Sequence, residues 1–191
     1  VSEISRRWFV FGGLFEAALG LVALPLGAGL GVDWSGLWRR PGGWELATGV
    51  AVSLPLLVLP WAVLHVPWRV FREVRAVVEG LLVPVLGGWS VGQMLGISLL
   101  AGVAEEALFR GALLAGLSDR VGPVAALVGT SVLFGLCHAL NRAYVLLAAG
   151  MGLVLGLEFL LTGSLWAPAL THALYDFGAL VYLLRRTGPK A

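Results

Sequence analysis

Apolar residues fill this chain in long, nearly unbroken runs that recur at about the length needed to cross a bilayer, ~20 residues. The runs predict six spanning helices, at residues 8–30, 44–66, from 89 to the pair Glu105-Glu106, 121–140, 144–161 and 165–184. The third either continues past the glutamates to residue 117 or breaks at them. Residues 67–88 read differently. Arg69, Arg72, Arg75, Glu73 and Glu79 interleave there with Trp68, Phe71, Val74, Val78, Leu81 and Leu82 at helical spacing. That pattern predicts an amphipathic helix lying in the interface, ended by Pro84 and Gly87-Gly88.

Short links, Asn141-Arg142 and Thr162-Gly163-Ser164, join the last three predicted helices and favour antiparallel neighbours. The expected fold is an all-α membrane protein. It is a compact bundle of about six transmembrane helices plus one interfacial helix. The whole chain, 1–191, reads as one integral-membrane domain. Residues 1–88 supply N-terminal helices and the interfacial helix, and residues 89–184 supply a catalytic core. No internal repeat is visible, which disfavours an inverted-repeat transporter.

Composition agrees. The chain is 59% hydrophobic and 13% charged, about half the charged fraction of soluble domains, ~25%. A net charge of +2, with no basic aromatic patch, gives no sign of a nucleic-acid partner. The single cysteine, Cys137, excludes an intramolecular disulfide and a cysteine-cluster metal site. The first run follows Arg6-Arg7 but is roughly twice the 7–15 residues of a signal core, so it is expected to be a retained span. In a six-helix arrangement Arg6, Arg7, Arg69, Arg72, Arg75, Arg142, Arg185, Arg186 and Lys190 share one side. Arg39, Arg40 and Arg120 share the other. The positive-inside rule then places both termini in the cytoplasm.

Against this background the polar residues at membrane depth stand out. Residues 89–104 carry no charge, and then Glu105 and Glu106 follow side by side, with Arg110 beyond. A charge at the centre of a spanning helix costs ~2.5–3.5 kcal/mol even on insertion scales. Glu106 and Arg110 share a helical face, whereas Glu105 is turned away by ~100°. One carboxylate can therefore face a reaction while the other is tied to the arginine. His138 falls near the end of the fourth run. His172 and Asp176 share one face of the sixth. Glu16, Glu158 and His65 read as structural or interfacial.

The usual nucleophile motifs are missing. No Gly-x-Ser-x-Gly and no His-Glu-x-x-His occurs. Cys137 and His138 are helix neighbours and do not face each other. What remains is water activated by glutamate and histidine. Its chemical neighbour is a divalent metal such as zinc, with Glu105, His138, His172 and Asp176 as candidate ligands. A membrane immunity or scaffold protein and a small proton-coupled transporter are the competing classes.

Glu105-Glu106-x-x-x-Arg110, Phe134-x-x-x-His138 and His172-x-x-x-Asp176, in that order, resemble the three motifs of the CPBP family of intramembrane peptidases (CAAX proteases and bacteriocin-processing, Abi-type proteins). The likeness spans about residues 101–179. It implies an all-helical endopeptidase, in this case of a bacterial plasma membrane, acting on a membrane-embedded or lipidated peptide among membrane lipid. It further implies Glu105 as the base, Glu106 and Arg110 as its support, His138 beside the water and His172 at the oxyanion. The prenyl-protein peptidases usually have asparagine where this chain has Asp176, and an ionised aspartate cannot donate to an oxyanion. The family has been described both as metal-dependent and as glutamate-dependent.

Overall fold

A computed structural model describes residues 3–187. Lys190, counted in the orientation argument, lies outside them. The described residues form helices and connecting turns, without a strand. The helices are α1 (Glu3–Leu30), a short α2 (Trp34–Leu37), α3 (Gly43–His65, kinked at Leu57), α4 (Arg69–Leu86), α5 (Val91–Val121), α6 (Pro123–Cys137), α7 (Arg142–Thr162) and α8 (Trp166–Thr187). The chain is an all-α membrane protein.

The boundaries follow local chemistry. Ser90 and Gln93 cap α5 reciprocally. Gly122, at φ +85°, turns the chain between α5 and α6, and Pro123 opens α6. Asn141 caps α7 through the Tyr144 amide, and its side-chain amide donates to the Glu73 carbonyl on α4. Gly163 ends α7 in the left-handed conformation.

Two features depart from the sequence reading. Pro84 does not end the interfacial helix, which runs through it to Leu86. The wide turn Val78–Leu82 precedes Pro84, and a proline within the first turn of the last α-helical segment has no intrahelical N–H to lose. The second is that α6 ends at Cys137, so His138 caps the helix from outside. On the amphipathic helix, Phe71, Val74 and Val78 are buried against the protein, while Trp68 and Leu81 face outward, as a helix lying in the interface requires.

Among the described residues, three helices are long and apolar enough to cross a membrane: α1, α3 and α7. A fourth span arises if α4 and α5, bent by 113° against each other, count as one. The fifteen residues of α6 rise only ~22 Å, short of the ~30 Å hydrocarbon core. In α8, Thr171, His172 and Asp176 interrupt the apolar run.

Around the site, α8 packs against α3, α5 and α7, and α1 covers α5 from the other side. Glycine permits the closest crossings. A Cβ on Gly102 of α5 would stand 2.7 Å from the Ala169 carbonyl oxygen of α8, and one on Gly135 of α6 would stand 2.6 Å from the Val145 carbonyl oxygen of α7. These approaches bring the glutamates of α5 against His172 and set His138 beside both. We expect Gly102→Val to lower thermal stability in detergent by at least ~1–3 kcal/mol, since backbone must move to make room. A thermal-unfolding series measures this, and an unchanged midpoint would refute the close-crossing account.

The two ends of the bundle are tied by separate contacts. Ser5, Trp89 and Leu184 meet at one end, through the Trp89 indole donating to the Ser5 carbonyl and the packing of Leu184 on Trp89 and Phe9. At the other, Trp166 donates to the Arg39 carbonyl and Arg120 to the Leu30 carbonyl.

Candidate active site

The two adjacent glutamates point to different places. Glu106 is fully buried, and its Oε1 accepts from Arg110 Nη1 at 2.7 Å and lies 2.9 Å from His172 Nδ1. The other arm of the guanidinium donates to the Gly152 carbonyl of α7 at 2.9 Å. Its face lies 4.7 Å from the Phe134 ring centroid. Arg110 belongs to a stretch of wider turns, Ala107–Ala115, that starts directly after the glutamate pair. Such π-type turns re-aim side chains and recur at functional sites.

Glu105 faces a cavity of about 320 Å³, also lined by Phe134, His138, His172 and Asp176. Its Oε2 is buried and has no hydrogen-bond partner. It stands 3.9 Å from His138 Nε2, too far for a direct hydrogen bond. His138 Nδ1 lies 2.8 Å from the Phe134 carbonyl oxygen. A carbonyl can only accept, so Nδ1 carries hydrogen, and in the neutral ring Nε2 presents its lone pair to the gap. That gap has a carboxylate oxygen on one side and an imidazole nitrogen on the other. It is suited to a single bridging water.

His172 is held from both sides, with Glu106 at Nδ1 and Asp176 Oδ2 3.5 Å from Nε2. Phe134 stacks near three of these groups at once. Its ring centroid lies 4.6 Å from that of His138 and 5.9 Å from that of His172, besides the contact with Arg110.

The structure thus brings Glu105, His138, His172 and Asp176 to one cavity, with Glu106 and Arg110 behind His172 rather than lining the space. His65 remains at the surface, stacked on Trp61. Glu158 lies outside the cavity, its Oε1 2.9 Å from the Thr171 hydroxyl. Glu16, read from the sequence as structural or interfacial, lines the cavity from α1. The signal was present in the spacing Gly12-x-x-x-Glu16-x-x-x-Gly20. Gly12 packs on Ile97 and Gly20 on Ala104, so Glu16 between them must face α5. Tyr144 and Tyr175 also line the cavity.

The donor set as arranged does not fit a zinc ion. Zinc takes ligands at ~2.0–2.2 Å in a tetrahedron, which brings neighbouring donors to roughly 3.3 Å. Glu105 and His138 stand wider, at 3.9 Å, and among the candidate ligands only the His172 Nε2–Asp176 Oδ2 pair, at 3.5 Å, comes near that spacing. Among the described residues no group of three or more histidine, cysteine, aspartate or glutamate side chains is placed to hold a metal.

Residues 87–178 match a family model described as type II CAAX prenyl endopeptidase Rce1-like. No curated protein and no solved structure matches the chain. The match covers just under half of the chain and includes every residue of the three motifs, but not Glu16. It agrees with the CPBP resemblance, and the family implies protease activity on a membrane-associated peptide or protein. Residues 87–178 of this integral membrane protein are therefore a domain of the Rce1-like, CPBP-type endopeptidase family.

Proposed function

We propose that the chain is an intramembrane endopeptidase that hydrolyses a peptide bond of a membrane-embedded or lipidated polypeptide with water activated by Glu105 and His138. The observation that carries this reading is the gap between Glu105 Oε2 and His138 Nε2, 3.9 Å across, between two residues that line the cavity. A water there donates one hydrogen to each and turns a lone pair toward a substrate carbonyl. Glu105 takes the proton as the oxygen attacks, then returns it to the leaving amine. The developing oxyanion is met by a donor on the opposite wall. His172 is that donor: Glu106 holds Nδ1, and the Nε2–H, which lies 3.5 Å from Asp176 and makes no close hydrogen bond to it, turns to the oxyanion as it forms.

The protein is a bacterial plasma-membrane protein in this reading, after the CPBP resemblance, and the arginine excess near both ends of the chain (Arg6, Arg7, Arg185 and Arg186) supports cytoplasmic termini. The reaction requires no metal in this reading, consistent with the spacing of the donors.

The test is cleavage of a model membrane peptide by purified protein in proteoliposomes, run in ¹⁸O-water with metal content measured. The expected result is a cut with label in the new carboxyl and no loss of rate after chelation. Asp176→Asn should keep a substantial part of the rate, because an amide oxygen still accepts from His172. Loss of cleavage together with bound zinc, either on chelation or in Asp176→Asn, would replace this mechanism with a metal-based one. No cleavage of any peptide would favour the immunity or scaffold reading.

A further inference from the structure

The cavity wall carries an unbalanced charge. Its lining includes three carboxyl groups, Glu16, Glu105 and Asp176, against the imidazoles of His138 and His172 and no lysine or arginine. Arg110 does not compensate them, because its guanidinium is committed to Glu106, the Gly152 carbonyl and the Phe134 face. Glu105 faces His138, and Asp176 faces His172. Glu16 is left over. Its Oε2 is buried without a hydrogen-bond partner, and the equally unpartnered Oε2 of the deeply buried Glu105 opens on the same space.

Glu16 sits near the midpoint of α1, about 20 Å along the axis from either end, so it has no route to bulk water at the helix ends. It is held in register by Gly12 and Gly20, which seat α1 on Ile97 and Ala104. A carboxyl oxygen in that position is satisfied by a donor held in the cavity, a water or a polar group of a substrate. The mechanism gives Glu16 no task, and it lies outside the segment matched to the family.

We propose that Glu16 is a specificity-determining residue that receives a cationic nitrogen of the substrate, a lysine or arginine side chain close to the scissile bond. The rest of the lining suits the stem of such a side chain. Leu86, Trp89, Ile97 and Leu180 provide apolar contact for the methylenes, with the carboxylate to meet the charged end. This inference rests on the peptidase reading for its substrate class, but binding alone can test it.

The experiment uses the wild-type protein in detergent with N-acetylated model membrane peptides that differ at one position beside the scissile bond: lysine, norleucine or glutamate. One further norleucine peptide has a free amino terminus. Binding and cleavage are both measured. The lysine peptide should bind at least ~10-fold more tightly than norleucine, as one charge-assisted contact away from water allows. Glu16→Gln should erase that preference, bringing the lysine and norleucine peptides to equal affinity. Glu16→Asp should retain part of it, and Glu16→Lys should shift it toward glutamate. Equal binding of lysine and norleucine by wild type would overturn the proposal, as would a preference that survives Glu16→Gln. A preference confined to the free-amine peptide would assign the subsite to a chain terminus and overturn the side-chain assignment. Charge-dependent binding that needs Glu16, without cleavage of any peptide, would uphold this subsite and sink the peptidase reading alone.

Discussion

Glu105→Gln is expected to yield a folded, membrane-inserted protein whose cleavage rate is down by ~10²–10⁴-fold, the range general-base catalysis contributes. Glutamine keeps the size of the side chain and a carbonyl oxygen for the water, but it cannot take the proton. The loss should fall on kcat, with KM little changed, because proton transfer belongs to the transition state and not to substrate binding. Folding should be unaffected or improved. Glu105 Oε2 has no protein partner to lose, and an uncharged amide is easier to hold in an apolar setting than a carboxylate. Glu106→Gln should behave differently. Its Oε1 serves both Arg110 and His172, so the substitution leaves a buried guanidinium without its counter-charge. The adjacent glutamates should thus fail in separable ways, Glu105→Gln in rate and Glu106→Gln in stability as well. A Glu105→Gln protein with full activity, beside a stable and inactive Glu106→Gln, would reverse the roles given to them here.

That separation was half legible in the sequence. Helical geometry alone puts Glu105 and Glu106 at different angles, and the four-residue step to Arg110 names which of them it can reach. The sequence could not say which one meets the cavity, because that depends on α8 docking against Gly102 and bringing His172 onto Glu106. The wide turns at Ala107–Ala115 were likewise invisible, since helix propensity does not distinguish an α-turn from a π-turn. The apolar runs gave the helices well, because hydropathy and helix formation reinforce each other in a membrane. They counted spans less well. The fourth run looks long enough until Gly122 and the His138 cap trim it to Pro123–Cys137.

Glu16 illustrates the other limit. One acid in an otherwise apolar run reads equally as an interfacial residue or a buried one. The tertiary seat of α1 decides, and its only trace in the sequence is the glycine on either side. Motif reasoning concentrates on the segment with recognisable spacing, so a residue delivered to the site by a helix outside that segment escapes it.

Arg110→Met is expected to destabilise the protein by ~3–5 kcal/mol, the usual result of removing one partner from a buried ion pair. The guanidinium is 1% exposed and makes three contacts with different neighbours: Glu106 on its own helix, the Gly152 carbonyl on α7, and the face of Phe134 on α6. Methionine fills much of the space but leaves Glu106 and the Gly152 carbonyl without the donor. Arg110→Lys should fall between the two, because an ammonium cannot reach both acceptors in a fork or stack flat on a ring. The informative variant is the double one, Glu106→Leu with Arg110→Met. Replacing a whole buried pair by apolar groups is often neutral or better, so much of the stability should return. Activity should not, because His172 then has no acceptor at Nδ1 to hold its ring. Thermal unfolding and peptide cleavage measured on all four members of this cycle separate the two effects. If stability and cleavage return together in the double variant, the pair is only structural glue, and the orientation of His172 must come from Asp176 alone.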